Sequence, residues 1–246
     1  MHRWVAWGII ATGVLTFVSL FFISAPYGRH ERSGWGPTMP TRWAWVIMES
    51  PAVLAFAAIY LLGQHRFAVA PLVLLAMWQL HYVNRTFAFP FELKVDGKTT
   101  PIAVAAMAIV FNFLNAYVNA RQISHLGSYA TGWLYDPRFI VGLALFLGGR
   151  HINIEADRRL VALREEGAGY EIPRGWLYRY ISCPNYFGEI VEWIGWAVAI
   201  WSLAGASFAV FTIANLAPRA ISHHRWYHEK FPDYPPERKA LVPFVV

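Results

Sequence analysis

Long apolar blocks recur along this 246-residue chain, each roughly 18 to 22 residues long, which is the length of helix that crosses a bilayer. Charged residues make up only 15% of the sequence, less than a soluble domain of this length carries. The predicted fold class is therefore all-α, a seven-transmembrane-helix bundle in one domain over residues 1–246. The predicted spans are Val5–Ser24, Trp43–Leu62, Phe67–Val83, Pro101–Asn119, Asp136 to about Gly149, and two helices within Asn185–Ala217 that bend near Leu203–Ala206.

The charge pattern predicts the orientation of the bundle. The net charge of +6 is spread through the connections, and no Lys/Arg-rich run indicates a nucleic-acid partner. Most Lys and Arg residues follow the first, third and fifth spans or lie in the C-terminal tail, so the positive-inside bias places the N-terminus outside and the C-terminus in the cytoplasm. The first block lacks a small-residue cleavage site and is long for a signal peptide, so we expect a retained helix.

Residue types exclude several kinds of site. Cys183 is the single cysteine, so the chain can form no internal disulfide and no cysteine metal cluster. His223 and His228 could share a metal, but there is no thiolate and no HExxH spacing, so we expect no metal site. The Gly167-Ala168-Gly169 segment lacks the third glycine of a dinucleotide-binding turn. Any nucleotide must therefore sit inside the helix bundle.

One apolar stretch, Ser182–Trp196, carries polar residues at helical spacing. Asn185 and Glu189 are four residues apart and share a helix face, and Glu192 lies near that face. Ionisable groups in a membrane helix are costly unless they are paired or wetted, so this face is expected to line a polar cavity. The alternative is that both glutamates lie at the headgroup level, solvated or paired with Arg174 or Arg179.

Glu49 and Tyr82 each lie in an otherwise apolar span. A carboxyl in an apolar site favours its neutral form, which can donate a hydrogen bond, and a tyrosine hydroxyl is a second donor. Two donors that converge on a carbonyl oxygen would polarise it and stabilise a developing enolate. The alternative is that Glu49 bonds another helix for packing and that Tyr82 belongs to the interfacial aromatic belt.

A set of cationic and amide side chains could hold a dinucleotide. Arginine suits phosphates because its guanidinium donates two hydrogen bonds at once, and Asn153 and Asp157 share one helix face. The alternative is that these charges contact lipid headgroups. The set comprises Arg85, Asn153, Asp157, Arg164, Asn185, His223 and Arg225.

Several motifs together match one known family. The C-terminal ones are Asn185–Gly195, Arg219-Ala220, His223–Arg225, Asp233–Pro235 and Arg238–Phe244. The others are Tyr27–His30, Glu49–Pro51, His81-Tyr82, Arg85–Phe87, Asn153-Ile154 and Asp157. On these motifs the chain resembles the steroid 5α-reductases over essentially its whole length. The C-terminal signature is partly shared with isoprenylcysteine methyltransferases, but Glu49 and His81-Tyr82 favour the reductase branch.

The resemblance implies a seven-helix membrane bundle that encloses NADPH and reduces the Δ4 double bond of a 3-oxo steroid, with hydride passing to C5. It implies that Glu49 and Tyr82 hold the 3-keto oxygen and that Trp45 lines the substrate. The cofactor contacts implied are Arg85, Asn153, Asp157, Arg164, Tyr170, Asn185, Glu189, His223 and Tyr227, with Tyr27 and Arg29. Where family members often have an arginine beside the residue matching Tyr170, this chain has Glu171.

The expected partners are a small apolar steroid and the lipid bilayer, and the expected protein is a multi-pass monomer of the bacterial inner membrane or the endoplasmic reticulum. Three alternatives stay open at this point. One is a reductase of polyprenol or enoyl-CoA, the second is a membrane methyltransferase, and the third is a non-enzymatic sterol-binding protein. Retention of NADPH would separate the reductases from the other two.

Overall fold

Seven long helices build the fold. The computed structural model describes residues 1–22, 34–166 and 170–246, and within these ranges seven helices have 17 residues or more. The helices are α1 (His2–Phe22), α2 (Thr41–Leu61), α3 (Val69–Phe87), the single turn α4 (Phe89–Glu92), α5 (Ile102–Arg121), α6 (Pro137–Glu166), α7 (Pro184–Ile200) and α8 (Leu203–Lys230). Each of the seven predicted spans corresponds to one long helix, but α6 runs beyond Gly149 to Glu166 and α8 runs beyond Ala217 to Lys230.

The helices α1, α2, α5, α6 and α8 are long and apolar enough to cross a membrane, α5 being counted with the helical turn that follows it. The other two long helices differ because α7 has only 17 residues and α3 carries His81 and Arg85 towards its C-terminal end. Large apolar side chains such as Trp4 and Phe22 are exposed on α1, as lipid-facing residues are. The chain is therefore a multi-pass membrane protein.

A short β-pairing, absent from the all-α prediction, joins the starts of two helices. Strand β1 (Thr38–Pro40) precedes α2 and pairs antiparallel with β2 (Thr99–Pro101), which precedes α5. A turn at Asp96-Gly97 precedes β2, with Gly97 at φ +74°, a conformation that favours glycine. Arg42 bonds Asp96 at 3.0 Å across this junction. The N-terminal ends of α2 and α5 are thus held side by side.

Helix α2 continues through Pro51. Proline removes one helix hydrogen bond, so carbonyls of the surrounding turns are open to side-chain donors. Asn112 Nδ2 on α5 donates to the Met48 carbonyl at 2.7 Å, and Trp78 Nε1 on α3 donates to the Ala52 carbonyl at 2.8 Å. These bonds tie the segment of α2 that carries Glu49 to two neighbouring helices.

The centre of the bundle is aromatic. Trp78, Trp193 and Trp196 are completely or almost completely buried, and the Trp78 centroid lies 5.4 Å from that of Trp193 and 5.3 Å from that of Trp196. Phe56 stacks on Trp78 at 4.3 Å, and Phe208 of α8 packs on Trp193 at 4.3 Å. Large rigid rings of this kind bury much area at little entropic cost. The cluster fixes α3, α7 and α8 relative to one another.

Helices α6 and α7 approach each other through four glycines, Gly142 and Gly149 on α6 and Gly188 and Gly195 on α7, here called the glycine seam. A Cβ on Gly188 would lie 2.7 Å from the Gly149 carbonyl oxygen, and a Cβ on Gly195 would lie 2.7 Å from that of Gly142. Small residues let membrane helices come into backbone contact. The seam therefore sets the spacing at which polar residues of α6 and α7 meet.

The break between α7 and α8 falls at Trp201 and Ser202, slightly earlier than the predicted Leu203–Ala206. Trp201 adopts a left-handed conformation with φ +40°, which ends α7. Ser202 caps α8, because its Oγ accepts a hydrogen bond from the Gly205 amide at 3.3 Å. The physical stop is thus a backbone conformation and a cap rather than the run of small residues.

The C-terminal tail folds back onto the segment before α7. The Ser182 amide donates to the Lys239 carbonyl at 2.8 Å, and the Lys239 amide donates to the Tyr180 carbonyl at 2.9 Å. Tyr234 is buried there, which raises the pKa of its hydroxyl. Leu241 of the tail is buried, whereas Phe244 near its end is 79% exposed.

Candidate active site

Tyr82 and Glu49 face the same part of the bundle interior from α3 and α2. Tyr82 is 4% exposed, and its ring packs on Trp78 at 4.8 Å and on Trp193 at 5.5 Å. Glu49 is only partly buried, and its Oε2 accepts a hydrogen bond from Asn112 Nδ2 at 3.1 Å. The two side chains lie within electrostatic range of each other. The interhelical bond considered as an alternative for Glu49 therefore exists, and it occupies one oxygen.

Arg85 joins α3 to both polar helices. Its Nη1 lies 3.6 Å from Asp157 Oδ2 on α6, and its Nη2 lies 3.8 Å from Glu189 Oε2 on α7. The guanidinium carbon is 4.6 Å from the ring centroids of both Trp45 and Phe89. Stacking on aromatic rings holds the planar group in one orientation. Trp45, predicted to line the substrate, thus supports Arg85.

Amide groups connect α6 and α7 next to this cation. Asn185 Nδ2 donates to Asp157 Oδ1 at 3.0 Å, and Asn153 Nδ2 donates to the Asn185 carbonyl at 3.0 Å. The predicted shared faces, Asn153 with Asp157 and Asn185 with Glu189, are both present and turn towards each other. The glycine seam explains the match, because Gly188 brings α7 against the backbone of Asn153. Five of the predicted cofactor residues therefore form one network with Arg85 at its centre.

A cleft opens beside this network, between α3, α4 and α6. Cations and hydrogen-bonding groups dominate its walls. Such a donor set suits phosphates and ribose hydroxyls, since arginine holds phosphate oxygens in pairs and Asn or Asp can bind hydroxyls. The lining residues are His81, Asn84, Arg85, Phe89, Glu92, Arg150, Asn153, Ile154, Asp157 and Arg158.

Other predicted residues lie around the C-terminal half of α8. His223 Nε2 is 3.1 Å from the Tyr186 hydroxyl on α7, and Tyr186 is in turn within electrostatic range of Arg85. Tyr227 is buried and stacks on Tyr234 at 5.1 Å. These side chains stand at the edge of the Arg85 network rather than within it.

The remaining predicted contacts are more scattered. Tyr170 packs on Trp226 at 5.1 Å, and Lys98 Nζ lies 6.0 Å from the Tyr170 ring centroid. Arg164 acts on Asp157 electrostatically, whereas Arg225 is exposed. Tyr27 and Arg29 lie outside the described residues. In the ranges that the structure describes, no three His, Cys, Asp or Glu side chains are grouped so that they could hold a metal ion.

Sequence reasoning missed the role of Glu192. Its side chain is completely buried, and its Oε1 lies 2.9 Å from His81 Nδ1 and 3.8 Å from Arg150 Nη1. Glu192 is therefore neither solvated nor paired with Arg174 or Arg179, as the alternative considered from spacing would have it. The one local signal was a histidine beside Tyr82 in an apolar span, but nothing in the sequence pairs it with a residue 111 positions away.

Comparison with known proteins identifies the family. The family model described as 3-oxo-5-alpha-steroid 4-dehydrogenase matches residues 98–246. The chain is 46% identical to steroid 5-alpha-reductase DET2 of Gossypium hirsutum over 236 residues, covering 94% of this chain and 92% of the relative. It is 45% identical to 3-oxo-5-alpha-steroid 4-dehydrogenase 1 of Bos taurus over 241 residues, covering 96% and 93%. The corresponding Homo sapiens protein is 42% identical over 239 residues, with coverage of 96% and 92%.

The three relatives match nearly the whole chain, which includes the stretches that carry Tyr82 and Arg85, whereas the family model begins at residue 98. In the fold described above, Arg85 of α3 contacts α6 and α7 beside the polar cleft. The chain therefore belongs to the steroid 5α-reductase family, whose members are oxidoreductases that act on CH–CH bonds.

Proposed function

We propose that this protein reduces the Δ4 double bond of 3-oxo-Δ4-steroids to 5α-dihydro-3-oxosteroids with NADPH. The observation that carries the proposal is the state of the Tyr82 hydroxyl. The side chain is 4% exposed, yet its hydroxyl makes no hydrogen bond to any residue that the structure describes. A hydroxyl that makes no hydrogen bond within the described protein can donate one to a ligand oxygen. The steroid as substrate is inferred from the names of the relatives.

Tyr82 and Glu49 act on the 3-keto oxygen in this proposal. Asn112 occupies Glu49 Oε2, which leaves Oε1 to carry a proton and donate it in a hydrogen bond. Together with the Tyr82 hydroxyl, this gives two donors for one carbonyl oxygen. Charge that develops on that oxygen during reduction is stabilised by donors already in place, which is the usual source of a large rate effect.

The residues of the cleft fit a nicotinamide dinucleotide phosphate. Arg85, Arg150 and Arg158 provide cationic donors for phosphate oxygens, and Asn153 and Asp157 provide groups for ribose hydroxyls. When bound, the reduced nicotinamide supplies the hydride that reaches C5. The protein holds the steroid ketone and shields the site from water. Hydride addition at C5 would leave an enolate, whose oxygen the Tyr82 and Glu49 donors stabilise, and C4 would then take up a proton to restore the ketone. The further predicted contacts Arg164, Tyr170, Asn185, Glu189, His223 and Tyr227, with Tyr27 and Arg29, belong to the same proposal.

The proposed bundle has seven spans, with α3 and α7 as the two in addition to the five apolar helices. Their polar residues are shielded from lipid, because His81, Glu192 and the other ionisable groups of these helices face the interior. The proposed orientation places the N-terminus outside and the polar cleft on the cytoplasmic side, where a soluble cofactor can reach it. The apolar steroid enters from the lipid, and the working unit is a monomer.

Tyr82→Phe tests the mechanism. The change removes one oxygen and keeps the ring among Trp78 and Trp193, so the bundle should stay folded. Loss of one preorganised donor costs about 2.7–4 kcal/mol, on the order of 10²–10³ in turnover. The measurement is turnover of a panel of 3-oxo-Δ4-steroids in liposomes, with NADPH retention as the control for folding. Near-parental turnover would refute the proposed role of Tyr82.

Cofactor choice is a separate test. Only NADPH carries a 2′-phosphate, and an arginine that binds it adds a charge-assisted hydrogen bond. We expect kcat/KM to favour NADPH over NADH by on the order of tenfold or more. Equal efficiency with the two nucleotides would contradict the cofactor assignment and leave the Tyr82 test unaffected.

A further inference from the structure

Glu192 is a completely buried carboxyl group in the middle of an apolar helix. Its Oε1 bonds His81 Nδ1 at 2.9 Å and lies 3.8 Å from Arg150 Nη1. Its Oε2 is buried, and no residue in the described ranges gives it a hydrogen-bond partner. A buried carboxyl costs free energy unless it is paired, and removing its partner leaves an uncompensated group. The His81 and Arg150 contacts of Glu192 therefore need an explanation.

The contact joins two consecutive residues of α7 to two consecutive residues of α3. Glu192 bonds His81, and Trp193 packs on both His81 at 4.7 Å and Tyr82 at 5.5 Å. The His81 ring also stands edge-on to the Tyr82 ring at 4.9 Å. His81 is therefore fixed by a hydrogen bond on one side and by aromatic rings on the others. A movement of the His81 imidazole would therefore displace the Tyr82 ring, which it contacts.

The glycine seam holds Glu192 in place. A Cβ on Gly149 would collide with the backbone nitrogen of Glu192 and come within 2.8 Å of its Cα. Arg150, the next residue of α6, is thereby placed on the carboxyl. The backbone of α7 at Glu192 is thus in direct contact with α6, so the carboxyl is presented to His81 from a rigid support.

We propose that Glu192 is a positioning residue for Tyr82 that acts through His81. Glu192 accepts the Nδ1–H of His81, which fixes the imidazole orientation and leaves Nε2 for the cleft that His81 lines. The fixed ring holds the turn of α3 on which Tyr82 points its hydroxyl at the substrate. The inference rests on the proposed function of Tyr82. Neither His81 nor Glu192 needs to touch the reacting atoms.

Glu192→Gln is the first test. It keeps the shape of the side chain but replaces a charged acceptor by a neutral one, so the hold on His81 weakens. We expect kcat to fall about 10- to 100-fold, the effect of one hydrogen bond to a charged group, with KM for steroid and for NADPH changed less than about threefold. A rise in KM at unchanged kcat would overturn the proposal, as would parental kinetics. Glu155→Gln at the exposed Glu155–Arg159 pair is the matched control, with parental kinetics expected.

Two substitutions at His81 separate its nitrogens. The amide of His81→Asn can stand where Nδ1 stands and still donate to Glu192, whereas that of His81→Gln reaches towards the Nε2 position. Positioning through Glu192 requires that His81→Asn keep more of the parental kcat than His81→Gln. The reverse order would overturn the proposal by placing the function at Nε2. This pair also carries the test if Glu192→Gln fails to fold, which unfolding temperature in detergent would show.

A double variant distinguishes the positioning role proposed for Glu192 from the catalytic role proposed for Tyr82. If Glu192 acts through Tyr82, Glu192→Gln should cost nothing further in a Tyr82→Phe background, so the double variant should match Tyr82→Phe within about twofold. Additive losses would overturn the positioning role while leaving the catalytic role of Tyr82 intact. Parental turnover in Tyr82→Phe alone would instead overturn the proposed catalytic role of Tyr82.

Discussion

Two carboxyl groups approach Tyr82 from different helices, and their surroundings are opposite in kind. Glu49 is partly buried, and its partner is the neutral amide of Asn112, which occupies one oxygen. Glu192 is completely buried, and it is held by His81 and Arg150, two side chains that can carry positive charge. The first acid keeps an oxygen that a ligand can use, and the second is enclosed by protein.

The difference separates two uses of a buried acid. A carboxyl with a neutral partner and some access can change its protonation and meet a substrate, so it suits chemistry. A carboxyl that is enclosed by the side chains it contacts can instead hold those side chains in place. Tyr82 lies within electrostatic range of both acids. In the proposals above, Glu49 acts on the substrate and Glu192 supports Tyr82.

The largest effect is expected at the accessible acid. Glu49→Ala removes a donor to the substrate oxygen, so turnover should fall on the order of 10²–10³-fold. Glu49→Gln keeps a donor of the same shape, so its loss should be clearly smaller. Steroid turnover of both variants checks the order, with NADPH retention at the parental level. If Glu49→Gln were as damaging as Glu49→Ala, the hydrogen-bond role of Glu49 would be wrong.

A substitution at Gly149, which contacts the backbone of Glu192, should have the next largest effect. Gly149→Ala puts a Cβ against the backbone of Glu192, and overpacking of this kind costs about 1–3 kcal/mol of stability. The displaced carboxyl should also lower turnover. Gly148→Ala is the matched control, because a Cβ there meets nothing within 4 Å. Unfolding in detergent and turnover are measured on both, and equal behaviour of the two variants would contradict the close contact at the seam.

The smallest effect is expected at a third carboxyl group, that of Asp136, which lies at the surface. Asp136 precedes α6 and accepts hydrogen bonds from the Arg138 amide at 2.9 Å and from its guanidinium, which lowers the Asp136 pKa to about 2. A lowered pKa stabilises the fold above the carboxyl's usual pKa near 4, and the contribution is lost as pH falls through about 2. Asp136→Asn should therefore leave turnover unchanged and remove only this part of the acid sensitivity.

The check is the unfolding midpoint of parent and Asp136→Asn, measured in detergent from pH 5 down to pH 2. The two curves should converge towards the acid end. A constant offset across the whole range would mean that the carboxyl charge contributes nothing specific at this position.

Local spacing in the sequence was sufficient to predict the long helices and the polar residue pairs of α6 and α7. Bilayer-length apolar blocks gave the long helices, and four-residue spacing put Asn153 with Asp157 and Asn185 with Glu189. The helix break was misplaced by a few residues because it depends on the left-handed backbone of Trp201, which composition does not reveal. Patterns of period 3.6 report which residues share a face, and these predictions used only that.

Contacts between distant helices could not be predicted in the same way. The His81–Glu192 pair joins α3 to α7, and the Asn112–Glu49 bond joins α5 to α2. Each depends on how the helices rotate and cross, which is set by the aromatic core and the glycine seam. A single sequence shows that buried polar residues need partners, but it does not say which partner each one finds.

The glycine seam also restricts how a chain of this kind can diverge. Glycine is the smallest residue, so every replacement at Gly142, Gly149, Gly188 or Gly195 adds atoms where the backbone of the facing helix already lies. Lipid-facing positions such as Leu15 on α1 can exchange among apolar residues at little cost. Random mutagenesis with selection for activity should therefore accumulate substitutions along α1 and recover almost none at these four positions.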